Sequence, residues 1–108
     1  MIKAFVTSSV IFSVISIGNL AHANELIEYG KKIVEVNCSG CHAIGTDDKS
    51  THKDAPPFRT LSKRYPIDAL AEAFAEGIYA GHPDMPEFEA SPEQIDAILA
   101  YMSSIQEK

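Results

Sequence analysis

The sequence contains few cysteines, few positively charged residues and few long apolar runs, and each of these features excludes some classes of protein. Its 108 residues include 2 cysteines, 9 lysines and arginines, and 15 aspartates and glutamates, which gives a formal net charge of −6. Because phosphate groups repel an acidic chain, nucleic acid and an anionic membrane surface are not expected as partners. Alternating runs typical of β-strands are missing too, which leaves helices and loops.

The main apolar run lies at the N-terminus and is too short for a membrane span. Lys3 precedes an almost uninterrupted run of apolar or small residues over positions 4–18, whereas a spanning helix needs about 20 apolar residues. The segment Ala21-His22-Ala23 then matches an A-x-A cleavage site. We therefore predict an exported protein with a signal peptide at residues 1–23 and a mature domain at residues 24–108. An uncleaved membrane anchor is the alternative.

Both cysteines belong to one pentapeptide, Cys38-Ser39-Gly40-Cys41-His42. The pattern C-x-x-C-H is the attachment signature of c-type haem, in which the thiols form thioethers and the histidine ligates the iron. A zinc site would need further ligands at a fitting spacing, and the chain has no H-x₃₋₅-H pair. A thioredoxin-like redox pair would need a βαβ context, and a disulfide would close a very short loop. We predict one haem c, bound covalently through Cys38 and Cys41.

Helical periodicity predicts three helices in the mature region. The first covers residues 25–37, the second opens at Pro66 and ends near Gly77, and the third follows Ser91, which can form a capping box with Gln94. A mature chain of about 85 residues has a thin hydrophobic core, so a large buried cofactor would complete it. The positions expected to face inward are Leu26, Tyr29, Gly30, Ile33, Val34, Leu70, Ala73, Phe74, Ile95, Ile98, Leu99, Met102 and Ile105.

The iron of such a haem has a second axial position, for which His52, His82, Met85 and Met102 are candidates. Met102 belongs to the apolar stripe of the last helix, and His52 follows His42 by only 10 residues. Met85 stands in a loop with a proline on either side, far enough along the chain to pass round the haem edge. A restricted loop lowers the entropy cost of holding a thioether on a metal. We predict His42 and Met85 as the axial ligands, with His82 as the main competitor.

Together these features resemble the class I cytochrome c family, over nearly all of residues 24–108. The resemblance implies an all-α fold in which the N- and C-terminal helices cross and wrap around one haem. One departure is Val34, because the family commonly has an aromatic residue four positions before the first cysteine. The resemblance rests on the two terminal helices and on the motifs Cys38-x-x-Cys41-His42, Pro56-Pro57 and Met85-Pro86-x-Phe88.

The resemblance also implies roles for residues outside these ligands. The backbone carbonyl of Pro56, with Pro57 as second choice, would accept the Nδ1–H hydrogen bond of the ligating histidine and orient its ring. Phe58 would pack against the haem. Gly30 and Tyr101 match the positions at which the family's terminal helices cross, where the missing side chain of glycine permits a close approach.

The function implied by the resemblance is that of a small bacterial periplasmic electron carrier, not an enzyme. Haem ligated by His42 and Met85 has no open position for a substrate. The expected partners are redox proteins of a respiratory chain, with a dehydrogenase or quinol-oxidising complex as donor and an oxidase or reductase as acceptor. We expect a monomer without a membrane span after signal cleavage. Two alternatives stay open: a haem-based ligand sensor or peroxidase-like catalyst, and a haem-free thiol oxidoreductase.

The charge is unevenly distributed along the mature chain. Residues 24–67 carry seven basic and six acidic residues, whereas residues 68–108 carry one basic and nine acidic residues. Such an asymmetry can orient a protein as it meets a charged partner. Solvated helix faces would produce the same pattern, so both interpretations stand at this point.

Overall fold

The regular structure of the chain is helical. A computed structural model describes residues 2–14, 18–77 and 83–108, and within these ranges it contains no β-strand. The three α-helices are α1 (Gly18–Asn37), α2 (Leu70–Glu76) and α3 (Pro92–Ser104). Two 3₁₀ helices, Phe58–Lys63 and Ile67–Ala69, lie between α1 and α2 in the chain. The predicted all-α fold class is confirmed.

Helix α1 begins at Gly18, earlier than the predicted start at residue 25. Leucine and alanine favour helix within residues 18–24, and no proline interrupts them, so the helix continues through the proposed cleavage site. The added turns are exposed, as are residues 2–14, which have no regular secondary structure. Signal cleavage after Ala23 stays a prediction. None of the helices in the described ranges is long and apolar enough to cross a membrane.

The buried face of α1 is formed by Gly30, Ile33 and Val34, with Leu26 half-buried beside them. Tyr29 was expected on this face, but it is 44% exposed, so that expectation is wrong. Its position is about 100° around the helix from Gly30, which turns its ring toward solvent. Val34, the site of the departure from the family pattern, is fully buried despite its smaller side chain.

Helices α1 and α3 pack closely at Gly30. A Cβ atom built on Gly30 would lie 1.9 Å from the Ala97 carbonyl oxygen and 3.0 Å from the Tyr101 Cβ atom. Ala97 is fully buried and Tyr101 is nearly so. The expected pairing of Gly30 with Tyr101 is therefore present, with the backbone of Ala97 making the closest approach.

The start of α3 is fixed by the predicted capping box. The Ser91 hydroxyl oxygen accepts the Gln94 N–H at 3.3 Å, and the Gln94 amide oxygen accepts the Ser91 N–H at 3.0 Å. Pro92 occupies the first turn, where its missing N–H costs nothing. This cap sets the helix register that turns its apolar stripe inward. The buried residues of α3 are Ile95, Ala97, Ile98, Tyr101 and Met102, and Leu99 and Ile105 are half-buried.

The second predicted helix is divided into a 3₁₀ turn, Ile67–Ala69, and the α-helix α2. Gly77 ends α2 with φ of +94°, a conformation that side chains other than glycine rarely adopt. Phe74 is the buried residue of α2, and it meets the ring of Phe88 edge-on at 6.2 Å. The Ala90 N–H also donates to the Phe74 carbonyl at 3.0 Å. These contacts anchor the chain at the end of the loop predicted between α2 and α3, over residues 78–90. Residues 78–82 of that predicted loop lie outside the described ranges.

The other 3₁₀ helix, Phe58–Lys63, was not predicted. Its inward residues Phe58 and Leu61 are both 5% exposed, and their three-residue spacing fits the 3₁₀ period. The C-terminal segment docks against this helix, since the Gln106 amide donates to the Phe58 carbonyl at 2.6 Å. The Glu107 carboxylate accepts hydrogen bonds from Lys63 Nζ at 2.8 Å and from Arg59 Nε at 3.2 Å. The interaction with Lys63 makes the largest contribution to lowering the pKa of Glu107, and the contact with Arg59 lowers it further.

Candidate haem-binding site

The cysteine motif continues from the end of α1 in tight turns. The Cys38 N–H donates to the Val34 carbonyl at 2.8 Å, as the next residue of the helix would. The Cys38 carbonyl then accepts the N–H groups of Cys41 at 3.2 Å and His42 at 2.9 Å. The two thiols and the imidazole are therefore set in one local turn whose position is fixed by the buried face of α1.

The imidazole of His42 is oriented by a backbone carbonyl 14 residues further along the chain. His42 Nδ1 lies 2.8 Å from the Pro56 oxygen. Because a carbonyl can only accept, Nδ1 carries the proton and the lone pair is on Nε2, the nitrogen then left for a metal. The contact involves Pro56 and not Pro57, which is the pairing expected from the sequence.

Phe58 supports the same ring. Its centroid lies 5.0 Å from that of His42 with an angle of 42° between the ring planes. The Phe58 N–H donates to the Ala43 carbonyl at 2.9 Å, which ties the 3₁₀ helix to the residue after the motif. His42 is therefore held by one hydrogen bond and by one packed aromatic ring.

A cavity of about 580 Å³ lies beside the motif. This volume falls within the range of about 300–1,000 Å³ that is typical of sites for small molecules and cofactors. Its apolar walls include Leu61, Leu70, Phe74, Phe88 and Met102, of which the first three had not been assigned to a site from the sequence. Every site residue predicted from the sequence lines the cavity, namely Cys38, Cys41, His42, Pro56, Phe58 and Met85.

Two thioethers line this cavity. Met85 is half-buried in a turn of the loop formed by residues 83–88, which we call the Met85 loop. Met102 is 2% exposed and is held within the core by α3. Of the histidine candidates for the second axial position, His52 also lines the cavity, whereas His82 lies outside the described residues.

The thiol of Cys38 does not have the property expected of a reactive cysteine. Burial raises the pKa of Cys38 to about 11. A nucleophilic cysteine of a thiol oxidoreductase needs the opposite shift, because only the thiolate attacks. This shift argues against Cys38 as the nucleophile of a thiol oxidoreductase and is compatible with Cys38 as a site of covalent attachment.

Polar side chains at the edge of the cavity were missed by the sequence analysis. They include Arg64, Tyr65 and Asp84, and His52 lies among them with Nε2 3.0 Å from Asp84 Oδ2. No local motif marks these residues, and the pair of His52 and Asp84 forms only when segments 32 positions apart meet. The pairing gives His52 a polar partner, a role that differs from axial ligation.

Comparison with known proteins agrees with this geometry. The cytochrome c family model matches residues 27–106, a range that contains the motif, the cavity walls and α3. The chain belongs to the cytochrome c family. Cytochromes c transfer electrons through a covalently attached haem, and the two cysteines of this cytochrome c stand at the spacing that attachment requires. Searches of curated proteins and of solved structures gave no match.

Proposed function

We propose that this cytochrome c is a periplasmic electron carrier whose haem iron is ligated by His42 and Met85. The observation that carries the proposal is the 2.8 Å hydrogen bond from His42 Nδ1 to the Pro56 oxygen. It leaves the Nε2 lone pair for iron in a cavity that Met85 also lines. Export and signal cleavage after Ala23 belong to the proposal, since haem is attached to C-x-x-C-H outside the bacterial cytoplasm.

Each residue of the site has a distinct task in this proposal. Cys38 and Cys41 would hold the cofactor through thioethers, and His42 and Met85 would ligate its iron. Pro56 keeps the imidazole in one orientation. A bound haem would supply a one-electron Fe(III)/Fe(II) couple, and methionine–histidine ligation would raise its reduction potential.

In this proposal the site would favour electron transfer over catalysis, because protein side chains would occupy both axial positions. A packed surrounding of Phe58, Leu61 and Phe74, each no more than 5% exposed, keeps the protein in one geometry and limits the access of water to the centre. Donor and acceptor would be respiratory proteins, a dehydrogenase or quinol-oxidising complex on one side and an oxidase or reductase on the other. The acidic residues of positions 68–108 would favour a partner with a basic docking face.

Optical spectra of the purified exported protein test the proposal. We expect sharp ferrous c-type bands, a weak far-red methionine–iron band in the ferric form, and no ready shift of the ferrous spectrum when carbon monoxide is added. A mass equal to residues 24–108 plus one haem would establish cleavage and attachment together. A ready shift with carbon monoxide would reject the saturated site and favour ligand sensing or catalysis.

A further inference from the structure

His52 is attached through its backbone to the side of the cavity that carries the haem motif. Its N–H donates to the Cys41 carbonyl at 3.2 Å. Its own carbonyl accepts the Ala55 N–H at 3.1 Å, directly before the proline that orients His42. The main chain of His52 is therefore fixed to both parts of the structure that position the proximal ligand.

The side chain of His52 reaches the other side of the cavity. Its Nδ1 accepts the Asp54 N–H at 3.1 Å, so the ring proton is on Nε2. Nε2 lies 3.0 Å from Asp84 Oδ2, and Asp84 is the residue before Met85. This hydrogen bond joins two segments that both line the cavity.

We propose that His52 is a positioning residue that holds the Met85 loop against the haem-attachment motif, an inference that rests on the proposed ligation by Met85. A thioether binds iron only modestly, so the freedom of its loop decides how often the bond is broken. The far end of the loop is anchored separately, by Phe88 on Phe74. The His52–Asp84 bond holds the near end, and Met85 lies between the two anchors.

The size of the effect follows from the exposure of the two partners. The side chain of His52 is 25% exposed and that of Asp84 is 65% exposed, so water competes for the bond. A partly solvated pair of this kind shifts an equilibrium by about two- to fivefold. We therefore expect loss of the bond to raise the population with Met85 off the iron by that factor, without unfolding the helices.

Two substitutions of His52 separate its contact with Asp54 from its contact with Asp84. His52→Asn keeps an acceptor for the Asp54 N–H but is too short to reach Asp84. His52→Gln places an amide N–H near the position of Nε2 and is the conservative variant. The measurements are made on the haem-loaded protein: the rate of carbon monoxide binding to the ferrous form, and the denaturant midpoints for loss of the far-red band and of helical circular dichroism.

His52→Asn should bind carbon monoxide about two- to fivefold faster than wild type. Its far-red band should be lost at lower denaturant while the helical midpoint stays near that of wild type, and His52→Gln should restore most of the difference. Equal rates in wild type and His52→Asn would overturn the inference and leave ligation by Met85 intact. So would equal effects of both substitutions, or a parallel fall of both midpoints. A wild-type protein without the far-red band would overturn the inference and the proposed ligation together.

Asp84→Ala removes the other partner of the same hydrogen bond, so the result does not depend on one variant folding well. This substitution should accelerate carbon monoxide binding to a similar extent as His52→Asn. The double variant should be no faster than either single variant, because both remove one shared interaction. Additive effects in the double variant would show that the two residues act separately, which contradicts the inference.

Discussion

Replacement of Gly30 by alanine tests the close packing of α1 on α3. The new Cβ atom would lie 1.9 Å from the Ala97 carbonyl oxygen and 2.4 Å from its carbonyl carbon. Both are backbone atoms of a buried helix, so no side-chain rotation can relieve the overlap. To regain an ordinary contact distance, the two helices would have to separate by roughly 1.5 Å at this point.

The expected loss of stability follows from two opposing contributions. Overpacking of a well-packed core costs about 1–3 kcal/mol, and contact with rigid backbone places this site at the upper end. Alanine in a helix interior recovers about 1 kcal/mol relative to glycine. The net decrease in the free energy of unfolding is therefore about 2 kcal/mol, or roughly 10 °C in the melting temperature of a domain of this size.

Guanidinium unfolding of the mature protein, followed by circular dichroism, measures this difference. Lys31→Ala is the matched control, because Lys31 is the next residue of α1 and is exposed, so its replacement should change stability by less than about 0.5 kcal/mol. If Gly30→Ala were as stable as wild type, or more stable, the close contact with Ala97 would be refuted. A loss shared equally by both variants would instead trace the effect to α1 itself.

Three further predictions concern the axial ligand, a tertiary hydrogen bond and an ion pair. Met85→Leu should abolish the far-red band of the ferric protein, whereas Met102→Leu should keep it and cost less than about 1.5 kcal/mol of stability; the reverse result would reassign the ligand. Tyr101→Phe removes a 2.6 Å hydrogen bond to the backbone and should cost about 1 kcal/mol at neutral pH in urea unfolding. Burial, and to a smaller extent nearby carboxylates, raises the pKa of Tyr101 above its ordinary 10.0, so the stability of wild type should fall above pH 10. The difference in the free energy of unfolding between wild type and Tyr101→Phe should therefore become smaller there, and a constant difference would contradict this. Glu107→Gln should make the free energy of unfolding depend less on pH in the acid range. The Lys63 hydrogen bond lowers the pKa of Glu107 below 4.5, and the stability that Glu107 contributes is lost as the pH falls through that lowered pKa. An unchanged pH dependence in the acid range would contradict the ion pair.

Local signals in the sequence were sufficient for the haem motif and for the start of α3. The positions of Cys38, Cys41 and His42 follow from one pentapeptide, and the capping box requires only residues three apart at Ser91 and Gln94. Such signals can be recognised in a sequence without tertiary information, because the interacting residues lie within one turn of the chain. The buried stripe of α3 was predicted for the same reason, since its helical period repeats over 13 residues.

Features that depend on tertiary packing were not predicted from the sequence. The 3₁₀ helix at Phe58–Lys63 is too short to show a period, and its helical geometry is completed by docking of the C-terminal segment. Tyr29 satisfied helical spacing but lies at the edge of the face that meets α3. The His52–Asp84 bond joins residues 32 positions apart, and a single sequence contains no signal for such a pair.

A continuous series of contacts links the packing of α1 on α3 to the candidate site. Tyr101 packs at Gly30 and donates its hydroxyl to the Ile44 carbonyl at 2.6 Å, which fixes the chain just after the motif. The preceding residue, Ala43, accepts the Phe58 N–H, and Phe58 packs on the ring of His42. A change that separates α1 from α3 would therefore reach the proximal ligand through only a few rigid contacts. Because close-packed protein interiors transmit displacement instead of absorbing it, Gly30→Ala should disturb the orientation of His42 as well as stability. The same glycine that allows the helices to meet thus also contributes to the geometry of the site.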